Sequence, residues 1–309
     1  MKRLFFILIA LLMTLGPGLA IAEPAKPAIQ KIDAAAFIGM TEEALIAAYG
    51  QPARVEPSEY GFQWYVYNGD YNNFFMAGVQ NGTVAGFYSN GKPLTYGGQF
   101  GLNSARADVQ AVLGKPIGYI RSGNTIFILN TPKQKDYFPV GDNYVIVYYD
   151  TVKGGKVTSI QIVPQAAEDD AYINHPELTA ELLGAYQRIS VDLVNAIRVR
   201  SGLRALKTDK LNTKLAVSRS QDMVARNYFS HYTPQGVSPF TQAKKLGIKY
   251  RSMGENIAFG NHNAIITHEA FMNSSSHRSN VMKPAYTKIG AGVAYGSSRY
   301  ALVTNVFTN

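Results

Sequence analysis

The chain has 309 residues, 46% of them apolar and 17% charged, which is enough apolar material for a sizeable core and too much for a disordered chain. It contains no cysteine, so disulfides, lipid-modified thiols and thiolate catalysis are excluded. The net charge of +9 points to anionic partners, but it is unevenly divided: residues 23 to 180 carry 11 basic and 15 acidic side chains, and residues 181 to 309 carry 17 and 6. All five histidines lie at or beyond His175, so chemistry that needs imidazole belongs to the second half.

Residues 1–22 read as an export signal. Lys2 and Arg3 form the charged start, Leu4 to Leu15 the apolar core, and Ala20-Ile21-Ala22 a cleavage site before Glu23. The apolar core is shorter than the roughly 20 residues of a spanning helix, and Gly16 and Pro17 interrupt it, so no transmembrane segment is expected after cleavage. Residues 23–37, with Pro24 and Pro27, read as a linker.

An internal repeat follows. Phe37-Ile38-Gly39-Met40-Thr41 leads to Tyr49-Gly50-Gln51-Pro52, and Phe100-Gly101-Leu102-Asn103-Ser104 leads likewise to Leu113-Gly114-Lys115-Pro116. In each copy Thr41 or Ser104 is placed to cap a short helix, and Gly-x-Pro ends it. Runs rich in aromatic and β-branched residues, such as Phe62 to Tyr67, Val84 to Tyr88 and Val145 to Tyr149, predict strands. Residues 38–165 therefore read as a duplicated unit of a small helix and antiparallel strands. Nineteen of the 36 aromatic residues lie between Tyr60 and Tyr149, and filling a small core is the expected use for them.

The polar stretch 166–177 reads as a second linker, and the segments on either side of it are expected to fold independently. Apolar periodicity predicts helices over about 178–200, 209–227 and 264–273. Lys288 to Val293 and Arg299 to Phe307 read as strands joined by a Gly-Ser-Ser turn. The fold class is α+β.

Several short segments of the second half carry the residue types of a site: Phe229-Ser230-His231, Gly254-Glu255-Asn256-Ile257-Ala258 and Ser274-Ser275-Ser276-His277-Arg278. Together with Leu193-Val194-Asn195-x-x-Arg198, Ser220-x-Asp222-Met223 and Ile289-Gly290-x-Gly292-Val293, they make residues 178–309 resemble a CAP domain, of the superfamily of cysteine-rich secretory proteins, antigen 5 and plant pathogenesis-related proteins, in its cysteine-free bacterial form. Through Ile38-Gly39-Met40-Thr41, Gly50-Gln51-Pro52, Ser58 to Tyr67 and Tyr148-Tyr149-Asp150, residues 38–165 resemble the CAP-associated N-terminal domain of secreted Firmicute proteins. The resemblance implies an α-β-α sandwich whose cleft gathers His231, Glu255 and His277, in a Gram-positive protein acting outside the cell or in its envelope. It also places Ser274 where animal and plant members have a second glutamate.

Three readings of the trio stand side by side. Two imidazoles and a carboxylate suit weak, reversible Zn²⁺ binding, with Glu255 as third ligand or as the acceptor that orients an imidazole. The same set would serve a metal-assisted hydrolase or peptidase. It would also serve a hydrogen-bonded structural cluster in an inert cleft. His262 and His268 are expected at the surface, and Glu269, next to His268, projects about 100° away from it on a helix. Ser230 and Ser274 lack the setting of a serine nucleophile. The basic half, with Lys244, Lys245, Lys249 and Arg251 close together, suits an anionic cell-wall polymer or lipid headgroups. An exported chain without a nucleic-acid motif is not expected to bind nucleic acid.

Overall fold

The computed structural model describes residues 31–122, 124–129, 133–174, 177–261, 263–296 and 301–309. The expected export signal, Glu23, His175, His262 and the Gly-Ser-Ser turn beyond Gly296 lie outside the described residues.

The first module is built on a seven-stranded antiparallel sheet. Its order is Lys135–Val140, Asn143–Asp150, Lys156–Pro164, Thr83–Ser89, Phe75–Gln80, Gln63–Tyr67 and Arg54–Pro57. The duplication is visible in this order. Each copy lays down a meander, and the last strands of the two copies meet through Ile160–Ile162 against Phe87–Ser89. The helices α1 (Glu42–Tyr49) and α2 (Arg106–Leu113) enter by matching contacts. Gly39 N–H donates to Val84 O at 2.9 Å and Val84 N–H to Met40 O at 2.8 Å, while Asn103 N–H donates to Val157 O and Val157 N–H to Ser104 O, both at 3.0 Å. Both helices end on glycines at positive φ, Gly50 and Gly114, as the Gly-x-Pro pattern predicts.

Their starts differ. Thr41 Oγ1 accepts from Ala44 N–H at 3.2 Å, as expected. Ser104 instead accepts from Gly101 N–H at 3.0 Å, and the cap of α2 is Ala105, whose N–H donates to Asp108 at 2.8 Å. An acidic residue in the first turn replaces the hydroxyl expected before it.

The sheet is covered on both faces. One face packs Phe75, Phe87, Val145, Val147 and Ile160 against Phe37, Leu45 of α1 and Val109 of α2. The other carries Trp64, Met76, Tyr88, Tyr137, Ile146 and Tyr148, and these share one core with Leu182, Tyr186, Ile189, Leu193, Ala264 and Ile265 of the second module. The aromatics thus fill cores, as expected, and one of those cores is shared by the two modules.

Both expected linkers contain structured residues within their described parts. Ile32–Asp33 pairs in parallel with Leu94–Thr95, and Ile32, Ala34 and Phe37 are fully buried. Residues Gln165–Ile173 form α3, with Glu168 and Ala171 buried, because a polar surface on this helix masks a short inward face.

The second module is an α-β-α sandwich. Its sheet runs Lys207–Thr208, Lys288–Tyr295, Ala301–Thr308, Met253–Asn261, with only the first pair parallel. The helices are α4 (Ala180–Arg200), α5 (Lys210–Ala225), α6 (Pro239–Lys245), α7 (Ala264–Met272) and α8 (Ser275–Val281). One face meets α4 through Val194, Ile289, Ala291 and Phe307, and the other meets α5 and α6 through Leu215, Ala216, Ala243 and Val306. The Gly-x-Gly pattern explains the close approach of α5: a Cβ on Gly290 or Gly292 would lie 2.1 Å from the backbone of Thr213 or Ala216. No described helix is long and apolar enough to cross a membrane.

Candidate functional site

Three elements carry the expected trio. His231 lies just beyond the C-terminus of α5, Glu255 sits in the strand Met253–Asn261 opposite Val306, and His277 rides on α8. Gly254 lets that strand pass close to α8, since a Cβ there would meet the Tyr286 hydroxyl at 2.5 Å and Asn280 Oδ1 at 2.6 Å.

Glu255 is the centre of the arrangement. Its Oε2 accepts from Arg219 Nε at 3.0 Å, and its Oε1 lies 2.8 Å from His231 Nδ1. Arg219 is fully buried, and its Nη2 also donates to the carbonyls of Ser230 and His231 at 2.8 and 2.9 Å, so one guanidinium holds both the carboxylate and the loop that brings His231 to it. A carboxylate on Nδ1 fixes the imidazole and leaves Nε2 as the ring nitrogen away from Glu255. The His231 side chain is 48% exposed, against 3% for Glu255.

His277 lies within electrostatic reach of His231. Burial first and the His231 charge second hold its pKa below the usual histidine value. Its ring centroid is 5.1 Å from that of Phe271, and its carbonyl accepts from Asn256 Nδ2 at 3.0 Å. Asn280 Nδ2 donates in turn to Asn256 Oδ1 at 2.9 Å and to the Glu255 carbonyl at 3.3 Å, which ties α8 to the strand. Ser274 precedes α8 and its Oγ lies 3.3 Å from Ser276 Oγ.

The sequence reading did not single out Arg219 or Asn280, and it gave Asn256 no role of its own within Gly254-Glu255-Asn256-Ile257-Ala258. Arg219 had a signal: it occupies a core position of α5 in step with Leu215 and Met223, where a charge has to be paired. Arg198 shows the same signal on α4 and is satisfied by the carbonyls of Arg204, Val281, Lys283 and Tyr286.

His268 is a correction. It is 4% exposed, and burial followed by the Arg200 charge lowers its pKa to about 3, because α7 is apolar on nearly every side and is enclosed by the first module. Its neighbour Glu269 is also buried, accepting from Ser159 Oγ at 2.6 Å and Tyr88 OH at 3.1 Å.

The trio does not fit a Zn²⁺ ion held by all three side chains. Glu255 is engaged by a guanidinium whose positive charge opposes a cation at the same oxygens, and no group of three His, Asp or Glu suited to a metal occurs among the described residues. What remains is an oriented, half-exposed imidazole beside a second one. A cavity of about 430 Å³ at the module junction contains none of these residues, and its charged walls are already paired, Arg54 with Asp192 and Glu56, and Arg188 with Glu56.

Comparison with known proteins agrees with this architecture. Residues 38–172 match the family described as CAP-associated N-terminal, and residues 191–308 match the cysteine-rich secretory protein family, CAP. The chain is 41% identical over 116 residues to the uncharacterized protein YkwD of Bacillus subtilis, a match covering 38% of this chain and 45% of that one. It is 27% identical over 286 residues to the uncharacterized membrane protein YlbC of the same organism, covering 83% and 79%. An extracellular protein containing an SCP domain from Bacillus anthracis has the same fold, with TM-score 0.77, 23% identity and coverage of 96% and 100%. A cysteine-rich secretory protein from Staphylococcus aureus superposes with TM-score 0.70 at 18% identity, covering 88% and 94%. The chain thus joins a CAP-associated N-terminal domain to a CAP domain of the cysteine-rich secretory protein family, in its bacterial, cysteine-free form.

Proposed function

We propose that the protein is exported and acts as a binding protein of the cell envelope, its basic half drawn to an anionic wall polymer and its cleft hydrogen-bonding a polar group of that ligand. The observation that carries this reading is the buried Arg219–Glu255 pair, which holds the half-exposed His231 ring by Nδ1. A neutral imidazole held by a carboxylate at Nδ1 offers its Nε2 as one directed acceptor for a ligand hydroxyl. Lys244, Lys245, Lys249 and Arg251 are exposed and supply long-range attraction. Export is supported by the pattern of residues 1–22 and by the extracellular description of the similar Bacillus anthracis protein.

The test is retention on immobilised poly(glycerol phosphate). The protein is expected to bind at low salt and to lose affinity in the His231→Ala and His277→Ala variants. Retention equal in all three proteins would remove the cleft from the account, and stronger binding to anionic lipid vesicles would move the partner to the membrane surface. Hydrogen bonding without a metal also requires that a chelator and added Zn²⁺ leave retention unchanged. Loss of binding in chelator would restore the zinc-dependent reading.

A further inference from the structure

The two sequence signatures Tyr148-Tyr149-Asp150 and Ser274 to Arg278 belong to different modules, yet they meet in the folded chain. Asp150 closes the strand Asn143–Asp150, and both its oxygens accept from Arg278, Oδ1 from Nη1 at 2.9 Å and Oδ2 from Nη2 at 2.7 Å. The pair is mostly enclosed, with side chains 20% and 14% exposed. Arg278 also donates to the Met272 carbonyl at 3.0 Å, so its guanidinium spans the turn between α7 and α8.

The same turn is gripped a second time. Asn273 Oδ1 accepts from Thr151 N–H at 2.8 Å and Thr151 Oγ1 at 2.7 Å, and Asn273 Nδ2 donates to the Tyr149 carbonyl at 3.0 Å. A third grip lies one helical turn earlier, where Ser159 and Tyr88 donate to Glu269. Residues 269 to 278 are thus held from the first module at three points. Within their own module, Ser274 does not cap α8 with its side chain, and the carbonyl of His277 is held by Asn256. A polar run of three serines has little apolar contact with which to fix the start of this short helix.

We propose that the first module positions the cleft histidine: Asp150, with Thr151, sets the angle at which α8 presents His277 towards His231 through Arg278 and Asn273. Asp150 is then a positioning residue, and the front half of the chain has a task in the cleft although it contributes no imidazole to it. A bidentate carboxylate–guanidinium contact suits this task because it fixes direction as well as distance. The functional meaning of this contact rests on the cleft being the binding site proposed above, but its geometry is testable without any ligand.

The experiment is ¹H–¹³C correlation of the histidine ring resonances in the full chain, assigned by substituting each of the five histidines. Asp150→Asn is expected to move or broaden the His277 signal more than that of His231, and Asp150→Glu to return it towards its original position. Thr151→Val removes one hydroxyl contact at the rim and serves as the mild variant, with a smaller movement of the same signal expected if Asp150→Asn does not fold. A lowered melting temperature with the His277 signal unmoved, in either variant, would overturn the proposal and leave the contact as a simple fastening between modules. Failure of poly(glycerol phosphate) to bind would sink the proposed function while leaving this result intact.

Discussion

Arg219 and Glu255 show what a single residue has to satisfy in this fold. Arg219 is fully buried, and its partner is the carboxylate that orients His231. Arg219→Leu is expected to cost about 3–5 kcal/mol in urea unfolding, because it strands a buried charge. The double change Arg219→Leu with Glu255→Leu should cost less than the sum of the two single changes. Equal, additive losses would show that the pair is not coupled. Gly292→Ala provides a steric counterpart: its methyl would sit 2.1 Å from the Ala216 backbone, so a loss of about 2 kcal/mol or more is expected in the same measurement. The motif residues were legible because glycine, histidine and glutamate stand out in short segments. The contacts that hold them were not, since the roles of Asn256, Asn280 and Arg219 depend on elements distant in sequence.

At the scale of the element, periodicity located α4, α5 and α7 to within a few residues, while α3, α6 and α8 escaped it. These last three are short and mostly polar on one side, so few apolar positions mark them. Periodicity also does not report depth. Helix α7 packs against both modules, and this buries His268, which its sequence neighbours do not reveal. With its folded pKa near 3 and an unfolded value of about 6.5, the unfolded chain takes up the proton first, so stability should fall as pH drops from about 6.5 towards 3. The slope from this group alone is about 1.4 kcal/mol per pH unit. His268→Gln should flatten that part of the stability profile, and an unchanged acid limb would mean that His268 is not buried neutral.

For the whole molecule, the shared core changes what separation of the halves should do. Residues 178–309 alone would expose Leu182, Tyr186, Ile189, Leu193 and Ile265, an apolar face that the first module covers. The isolated half is expected to unfold at lower urea than the full chain and to bind a hydrophobic dye, whereas an equal midpoint would show that the contact adds nothing. The charge division gives a second expectation. The basic half should adsorb to poly(glycerol phosphate) at low ionic strength and be released at about 1 M salt, where screening falls to roughly 3 Å. Retention that ignores salt would exclude attraction between exposed charges as its cause. The two-module plan and the duplicated sheet were readable from composition and repeats, but the way one module closes over the other was not, because each apolar face reads as core whichever partner covers it.

Trp64, the single tryptophan of the chain, lies in that shared core at 2% exposure, with the Phe62 ring 4.7 Å away. The molecule therefore carries its own optical gauge of docking. While the modules are closed, the indole should emit at short wavelength, and any step that parts them, by denaturant, acid or substitution, should wet it and shift the emission to the red. Fluorescence read beside circular dichroism would then separate undocking from loss of secondary structure without any label.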